Sequence, residues 1–442
     1  MNSKKIILLL SILGVTSLSL AFYTTKEANF IHSTDDNSYD HLNFVDFNIV
    51  APAPTMDSAQ FVPEFDSTVH QFLNRWDIKG ASIAIMKDNR LIYSKGYGYA
   101  NLEKEKPADT KTLFRIASAS KLITAIGIMK LKEQGLLNLN DKVFGSRGIL
   151  SEFTEMKDSK HLQITVADLL NHRGGWSWRD GDFMFQAAKI QKTMDLPGPP
   201  SQDDIINFVL QNRWLRYKPG TQYAYSNFGY MVLGKIIAEK SGMNYETYIN
   251  ENILMPNGIY GMRIAGNYEW ERLPFESHYY NYPTAYQFPS FDGNYEACDK
   301  PYGGSDISTL GAAGGWIANA SQLVKLVALI DPRHSFYNIL SDESIQQMLG
   351  GEDYRDAYGW KATDGENWER TGTLAGTSCM VYRKENGYSY AVILNSSVWM
   401  GYAFNQYIQW MMDDALKSFE GKEFKNLFWE NRPEKAILPI TL

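Results

Sequence analysis

The order of strand-like and helix-like segments along the 442-residue chain predicts an α+β fold. Short alternating segments near the start and near the end are typical of antiparallel strands, whereas residues 165–255 are mostly helical in period. This order predicts an antiparallel sheet that is built from both chain ends and flanked by helices, with an inserted, mostly helical subdomain. With 44% hydrophobic residues, the chain can form one large domain or two subdomains.

Turn signals delimit the individual segments. Asp88-Asn89 separates two alternating runs and Asn386-Gly387 separates two more, so each pair of runs predicts a β-hairpin. The predicted strands are 81–86, 91–97, 358–362, 378–383 and 388–394. The predicted helices are 69–76, 118–134, 165–172, 202–211, 228–241, 320–330 and about 402–419.

The N-terminus has the composition of an export segment. Lys4 and Lys5 precede an uncharged apolar run from Ile6 to about Phe22. Residues 1–23 are therefore predicted to be a signal peptide or, since a run of roughly 17 residues is near the short limit for a bilayer span, an N-terminal membrane anchor. Either alternative places the folded part in the cell envelope, periplasmic or secreted.

Polar composition separates this segment from the folded part. Residues 24–58, which contain the run Ala-Pro-Ala-Pro at 51–54, are predicted to be a linker. The folded domain is predicted over 59–420 and a C-terminal tail over 421–442. Within the domain, residues 268–305 are irregular and rich in aromatic residues, which suits either a wall over a substrate groove or a self-packed surface loop.

Charge and cysteine content restrict the classes of partner. The formal net charge of -7 argues against nucleic acid as a partner. Cys298 and Cys379 could form a disulfide, but two isolated thiols form no scaffold. The seven histidines lack metal-binding spacing, so neither a metal nor a cofactor is expected.

A serine and a lysine begin the predicted helix 118–134. In Ser118-Ala119-Ser120-Lys121, the first and last residues are three apart and share a helix face, so Lys121 can take or polarise the Ser118 hydroxyl proton. The helix N-terminus adds positive potential that favours a developing alkoxide. Alone, the motif is a weak signal, and a serine helix cap with a solvated lysine is its default interpretation.

Tyr225-Ser226-Asn227 is the second motif. In an extended segment, Tyr225 and Asn227 point the same way and can face one pocket. Neighbouring cations could lower the tyrosine pKa by up to about three units and make Tyr225 a general base. A core tyrosine beside an asparagine helix cap is the alternative.

Arg370-Thr371-Gly372-Thr373 is the third motif, just before the predicted strand pair. On an edge strand, Arg370 and Thr371 would present a cation and a hydroxyl to a substrate carboxylate, and Gly372 would allow close approach. The amides of Thr373 and Ser118 could form an oxyanion hole. A turn with a surface arginine is the alternative.

Together, the order and spacing of the three motifs resemble the serine β-lactamase and penicillin-binding-protein family, which carries S-x-x-K, Y-x-N and K-T-G or H-x-G elements. The match is closest to the class C β-lactamase and D-alanyl-D-alanine carboxypeptidase branch. Residues 114–117, 164–172, 219–227 and 311–326 also resemble that family, and the likeness covers roughly residues 62–420.

The resemblance implies a β-lactamase/transpeptidase-like fold and a set of roles. Ser118 would be the acylated nucleophile and Lys121 with Tyr225 the proton-transfer pair, whereas Asn227 would orient the substrate or Lys121. The implied substrate-binding residues are Asn227, Arg370, Thr371, Gly372 and Thr373. His172, in a loop that resembles the family's, is interpreted as structural.

Arg370 stands where the family usually has lysine or histidine. Arginine keeps the charge but stays protonated, so it cannot exchange a proton, and this weighs against efficient β-lactam hydrolysis. The predicted function is therefore an exported serine hydrolase acting on D-amino-acid peptides, esters or β-lactams, with cell-wall-derived compounds among the candidate substrates. A dedicated class C-type β-lactamase, a non-catalytic penicillin-binding-like receptor and a structural scaffold remain alternatives.

Overall fold

The computed structural model describes residues 62–430, apart from 283–286, 295, 333–337, 351–353 and 365. The predicted export segment and linker, together with Tyr286 and Tyr295 of the aromatic-rich segment, lie outside the described residues. Across the described ranges, no helix combines the length and the apolar composition that crossing a bilayer would require.

The long strands lie near both ends of the described chain, and several strands of two or three residues lie between them. The strands are β1 (Gly80–Lys87), β2 (Arg90–Asn101), β3 (Lys106–Pro107), β4 (Phe114–Arg115), β5 (Arg263–Ile264), β6 (Phe288–Pro289), β7 (Ala297–Cys298), β8 (Trp316–Ala318), β9 (Ala362–Thr363), β10 (Trp368–Leu374), β11 (Thr377–Arg383) and β12 (Tyr388–Leu394).

The α-helices fall mostly between β4 and β9. The helices are α1 (Pro63–Arg75), α2 (Ser120–Glu133), α3 (Val166–Leu170), α4 (Ala187–Met194), α5 (Gln202–Asn212), α6 (Asn227–Ser241), α7 (Tyr245–Ile249), α8 (Ile307–Gly314), α9 (Ala320–Ala328), α10 (Asp342–Leu349), α11 (Asn405–Ala415) and α12 (Leu427–Glu430).

The main sheet has seven strands in the order β3-β2-β1-β12-β11-β10-β9, and its described pairings are antiparallel. Ala81 of β1 lies opposite Leu394 of β12, so the two ends of the chain meet at the centre of the sheet. Both faces are covered, because Ile83 of β1 packs into one apolar cluster and Ala84 into another. The prediction of an α+β fold with a sheet from both chain ends is confirmed.

The helical insertion is organised around α2. Nearly every side chain from Ser120 to Met129 is buried, so this helix lies at the centre of the subdomain rather than on its surface. Close approach of α6 and α8 depends on Gly234, since a Cβ there would lie 2.5 Å from the Cβ of Ala312. The packing brings the N-terminus of α6 and the C-terminus of α8 to the start of α2.

Two local predictions require correction, and a third agrees with the structure. The helix expected from Ser118 begins at Ser120, because residues 117–119 form a separate 3₁₀ turn. The strand expected over 358–362 is reduced to β9, because Gly359 adopts a φ of +77° that breaks the extended path. The motif that starts at Arg370 lies on a strand, as expected, because it is part of β10, which precedes β11 and pairs with it.

The aromatic-rich segment 268–305 divides into two parts. Tyr279 is fully buried, and its ring lies 4.5 Å from the Arg115 guanidinium. Arg115 lies two residues before the 3₁₀ turn that contains Ser118, which is called the nucleophile turn below. Trp270 is 79% exposed and stacks on Tyr268 at 4.5 Å. One part thus belongs to the core and the other forms a small surface stack. Cys298, in the same segment, is a free thiol, as is the buried Cys379.

The described part of the predicted tail is folded onto the domain. Leu427 of α12 is 5% exposed and belongs to the larger apolar cluster, and Phe428 packs against that cluster. The folded region therefore continues past the predicted boundary at residue 420.

Candidate active site

Ser118 lies in a strained turn that immediately precedes α2. Ala117 has a φ of +48°, a conformation that side chains rarely adopt and that costs on the order of 1–3 kcal/mol. The Ser120 hydroxyl stabilises the turn by donating to the Ala117 carbonyl at 2.7 Å and accepting from the Trp316 amide at 3.2 Å. The turn thereby presents the Ser118 hydroxyl at the positive end of a buried helix.

Lys121 is fully buried and directed at the serine. Its ammonium donates to Ser118 Oγ at 3.4 Å, to Asn227 Oδ1 at 2.5 Å and to the Ala313 carbonyl at 2.5 Å. Burial lowers the pKa of Lys121 to about 8, with a further contribution from the Arg370 charge and an opposing one from Tyr225. Lys121 can therefore lose its proton close to neutral pH.

Tyr225 makes the shortest described hydrogen bond to the Ser118 hydroxyl. Its hydroxyl donates to Ser118 Oγ at 2.8 Å. Although 41% of the residue is exposed, its hydroxyl contacts both Ser118 and Arg370. Burial by itself would raise the pKa of Tyr225, but the positive charges of Lys121 and Arg370 outweigh it and lower the pKa to about 8. Each group perturbs the other, so Lys121 and Tyr225 titrate as a coupled pair.

His172 lies directly behind Tyr225. Their ring centroids are 4.5 Å apart, and His172 Nδ1 accepts a hydrogen bond from the Ser226 amide at 3.1 Å. Burial, together with the nearby Lys121 and Arg370 charges, holds the pKa of His172 well below its ordinary value, so the ring is neutral. His172 thus positions the Tyr225 segment, in agreement with its structural interpretation.

Arg370 faces the nucleophile from β10. The residue is 2% exposed, its Nε donates to the Ser118 carbonyl at 2.7 Å, and its Nη2 donates to the Tyr225 hydroxyl at 3.2 Å. The predicted contact with a substrate carboxylate stays a prediction. In this geometry the guanidinium binds the Ser118 carbonyl and the Tyr225 hydroxyl, and its charge helps to lower the pKa of Tyr225.

Past Glu369, where the described pairing with β9 ends, the outer edge of β10 supplies main-chain donors. Leu374 and Thr377 flank a two-residue hairpin loop and therefore form a hydrogen-bonded pair. Because alternate residues of a strand bond in opposite directions, the Thr373 amide points away from β11, towards the edge. The Thr373 side chain accepts a hydrogen bond from Asn405 Nδ2 at 3.1 Å. Because side chains alternate along a strand, the side chains of Thr371 and Thr373 lie on the face of β10 opposite to Arg370.

Gly372 allows β10 to pass against the nucleophile turn. A Cβ at this position would lie 2.2 Å from the Ile116 carbonyl oxygen and 2.8 Å from the Ser118 amide nitrogen. The Ser118 amide and the edge of β10 therefore lie close together. This is the placement that an oxyanion hole formed by the Ser118 and Thr373 amides requires.

Asp182 is a site residue that the sequence did not reveal. Asn227 Nδ2 donates to Asp182 Oδ2 at 2.5 Å, while Asn227 Oδ1 accepts from Lys121. Asp182 also accepts from the Met184 amide at 3.0 Å, and burial raises the pKa of its carboxyl group. The only local signal was an aspartate before Phe183, which is the pattern of an ordinary helix cap.

Comparison with known proteins identifies the family of the chain. The family model described as Beta-lactamase matches residues 65–409, well over half of the chain. The chain belongs to the β-lactamase family. This family comprises hydrolases of the serine β-lactamase and penicillin-binding-protein fold, so the family suggested by the three motifs is confirmed.

Individual members of the β-lactamase family show how far the likeness extends. Protein flp of Staphylococcus aureus (strain MW2) is 32% identical over 202 residues, which cover 46% of this chain but only 37% of flp. The octameric penicillin-binding protein homologue from Pyrococcus abyssi is 25% identical, with a TM-score of 0.60 over 81% of this chain and 77% of that one. The D-amino acid amidase from Ochrobactrum anthropi, 22% identical with a TM-score of 0.60 over 80% of this chain and 97% of the amidase, shares the fold.

Proposed function

We propose that the protein is an exported serine hydrolase that forms an acyl-enzyme on Ser118. The observation that carries the proposal is the Tyr225 hydroxyl 2.8 Å from Ser118 Oγ, between the buried cations of Lys121 and Arg370. A serine hydroxyl needs a base within hydrogen-bond reach to act as a nucleophile. The proposed substrates are D-amino-acid peptides, esters or β-lactams, including compounds derived from the cell wall.

The geometry accounts for each proton in this reaction. The Ser118 hydroxyl proton passes to the deprotonated Lys121–Tyr225 pair as Oγ attacks the acyl carbon. The Ser118 and Thr373 amides stabilise the negative oxygen that forms. The pair then returns the proton to the leaving nitrogen or oxygen as the acyl–leaving-group bond breaks. A water molecule repeats the sequence, releases the acid and restores Ser118.

Two observations favour a peptidase or esterase over a dedicated β-lactamase. Arg370 replaces the usual lysine or histidine and cannot exchange a proton. The fold is also that of a D-amino acid amidase, an enzyme whose name specifies amide rather than β-lactam substrates. A non-catalytic receptor is disfavoured because it would not need two bases of lowered pKa at one serine.

Covalent labelling tests the acylating serine. We expect benzylpenicillin to give a stoichiometric adduct in intact-mass measurements of the purified protein and no adduct with Ser118→Ala. A long-lived adduct indicates penicillin-binding behaviour, and a short-lived one with consumption of the drug indicates a β-lactamase. Absence of labelling by both benzylpenicillin and a fluorophosphonate would contradict the acyl-enzyme and favour the receptor.

Export is a separate part of the proposal and rests on Lys4, Lys5 and the apolar run that follows. Cell fractionation tests it with the full chain and a chain that lacks residues 1–23. We expect the full chain in the cell envelope or the medium and the shortened chain in the cytoplasm. Recovery of the full chain in the cytoplasm would overturn it.

A further inference from the structure

A cavity of about 220 Å³ opens beside the ring of Tyr225, on the side of the helical subdomain. Its lining combines the aromatic residues Trp176, Trp178 and Phe183 with the carboxylate residue Asp182. Trp178 is 75% exposed and Trp176 is 5% exposed, so the wall extends from the surface into the interior. The mechanism of acylation does not use this cavity.

The charge of Asp182 is only partly compensated. Its described hydrogen bonds come from two neutral donors, the Met184 amide and the Asn227 side chain. Lys121 contributes electrostatically but lies beyond Asn227. A carboxylate accepts about four hydrogen bonds, so capacity for a further donor remains. Aromatic faces add attraction for a cation that approaches this carboxylate.

The two ends of the site have opposite polarity. The β10 end carries the buried Arg370 cation, whereas the cavity end carries the Asp182 carboxylate. In a short peptide, the ammonium group lies on the acyl side of the scissile bond and the carboxylate on the leaving side. The ammonium would therefore be drawn to the cavity and the carboxylate to β10.

The distance between the Ser118 hydroxyl and the Asp182 carboxylate is short. Hydrogen bonds link Ser118 to Lys121, Lys121 to Asn227 and Asn227 to Asp182. Three such links span at most on the order of 10 Å. This distance allows an ammonium group on the first residue of a substrate acylated at Ser118 to reach Asp182.

We propose that this cavity binds a free ammonium group on the acyl part of the substrate, with Asp182 as its counter-ion and Trp176, Trp178 and Phe183 as its walls. Preferred substrates are then aminoacyl amides, aminoacyl esters and short peptides with a free N-terminus. The inference rests on the proposed acylation of Ser118 and narrows its substrate class.

A matched pair of substrates tests the inference. Phenylalanine p-nitroanilide, as each enantiomer, is compared with 3-phenylpropionic acid p-nitroanilide, which differs only in lacking the ammonium group. We expect kcat/KM of the better enantiomer to exceed that of the uncharged compound by roughly 10- to 100-fold, the range for a hydrogen bond to a charged group. Asp182→Asn should reduce this ratio to near one.

Asp180→Asn is the matched control variant. Asp180 is in the same loop, but its carboxylate pairs with Arg216 at 3.0 Å, so the ratio should stay at its wild-type value. A wild-type ratio near one would overturn the inference and leave the Ser118 chemistry intact. An equal loss for both substrates in Asp182→Asn would also overturn it, since Asp182 would then only position Asn227.

A second measurement does not require turnover. Fluorophosphonate labelling of Ser118 is followed with increasing phenylalaninamide or 3-phenylpropionamide. We expect phenylalaninamide to protect Ser118 from labelling at concentrations at least about tenfold lower than those at which the uncharged 3-phenylpropionamide protects it. Equal protection would contradict the ammonium site. Absence of any labelling would instead contradict the proposed acyl-enzyme, so the two failures are distinguishable.

Discussion

On one side of Tyr225 lies β10, and on the other lies the cavity formed by Trp176, Trp178, Asp182 and Phe183. The β10 side consists of a buried arginine, a glycine in close backbone contact and the strand edge past Glu369, where the described pairing with β9 ends. The cavity side consists of aromatic surfaces and one carboxylate from an irregular loop. The first side carries features needed for any acyl transfer, whereas the second carries features that select one class of substrate.

The difference also concerns tolerance to change. Backbone atoms surround Gly372, so substitutions there disturb the nucleophile itself. Trp178 is largely exposed and can be replaced without moving the proton-transfer pair. We infer that the chemistry of the protein is fixed on the β10 side and that its specificity is adjustable on the cavity side.

The largest effect is expected from Tyr225→Phe. It removes the hydroxyl 2.8 Å from Ser118 Oγ while keeping the ring packed on His172. Acylation should fall about 10²- to 10⁴-fold, the range for loss of a general base. The rate of fluorophosphonate labelling measures this loss, with Trp178→Phe as the cavity-side control. A fall of less than about threefold would make Lys121 the sole base.

The next effect is a pH dependence. The pKa values of Lys121 and Tyr225 are both lowered to about 8, and the coupled pair must lose one proton before it can act as a base. We therefore expect kcat/KM to rise about tenfold per pH unit below pH 8 and to level off above it. A pH profile with a chromogenic ester measures the midpoint. A flat profile between pH 6 and 8 would contradict proton transfer by this pair.

Gly372→Ala should combine lost stability with lost activity. The added methyl group meets the Ile116 carbonyl at 2.2 Å, so backbone must move, at a cost of about 1–3 kcal/mol. Thermal unfolding and ester turnover measure the two losses. Gly198→Ala is the control, because no atom lies within 4 Å of its added Cβ. Wild-type stability in Gly372→Ala would show that the turn and β10 are less tightly packed than described.

The smallest effect is expected from Arg370→Lys, which restores a common residue of the family. The positive charge remains, but the paired contacts with the Ser118 carbonyl and Tyr225 hydroxyl are lost. We expect kcat/KM to fall roughly tenfold and the pH midpoint to rise slightly. The exposed Arg90→Lys serves as control. An unchanged pH midpoint and rate would show that charge alone is sufficient at this position.

The sequence predicted residues whose chemistry depends on short spacing. Ser118 and Lys121 are three positions apart at a helix start, and Tyr225 precedes Asn227 by two, so a local pattern marks each pair. The sheet from both chain ends was predictable for the same reason, because the turn residues Asp88-Asn89 and Asn386-Gly387 mark the two hairpins locally. Whether the named residues perform their predicted roles stays to be measured.

Other features depend on contacts that no local pattern records. Asp182 lies 45 residues from Asn227, and Arg370 lies 252 residues from the Ser118 carbonyl that it contacts. The strand expected over 358–362 failed because Gly359 packs against α2, where a Cβ would lie 2.8 Å from that of Ala125. Tertiary packing, not local propensity, determines the conformation at this glycine.

The pairing of β1 with β12 has a consequence for how the protein is made. Strand partners such as Ala81 and Leu394 are separated by most of the chain, so the contact order is high and folding is expected to be slow. The central strand pair of the sheet forms only after residue 394 has been synthesised, and the serine acquires its arginine neighbour only after residue 370. We therefore expect a partly synthesised chain to lack acylating power, so that reactivity arises only once the nearly complete domain has closed.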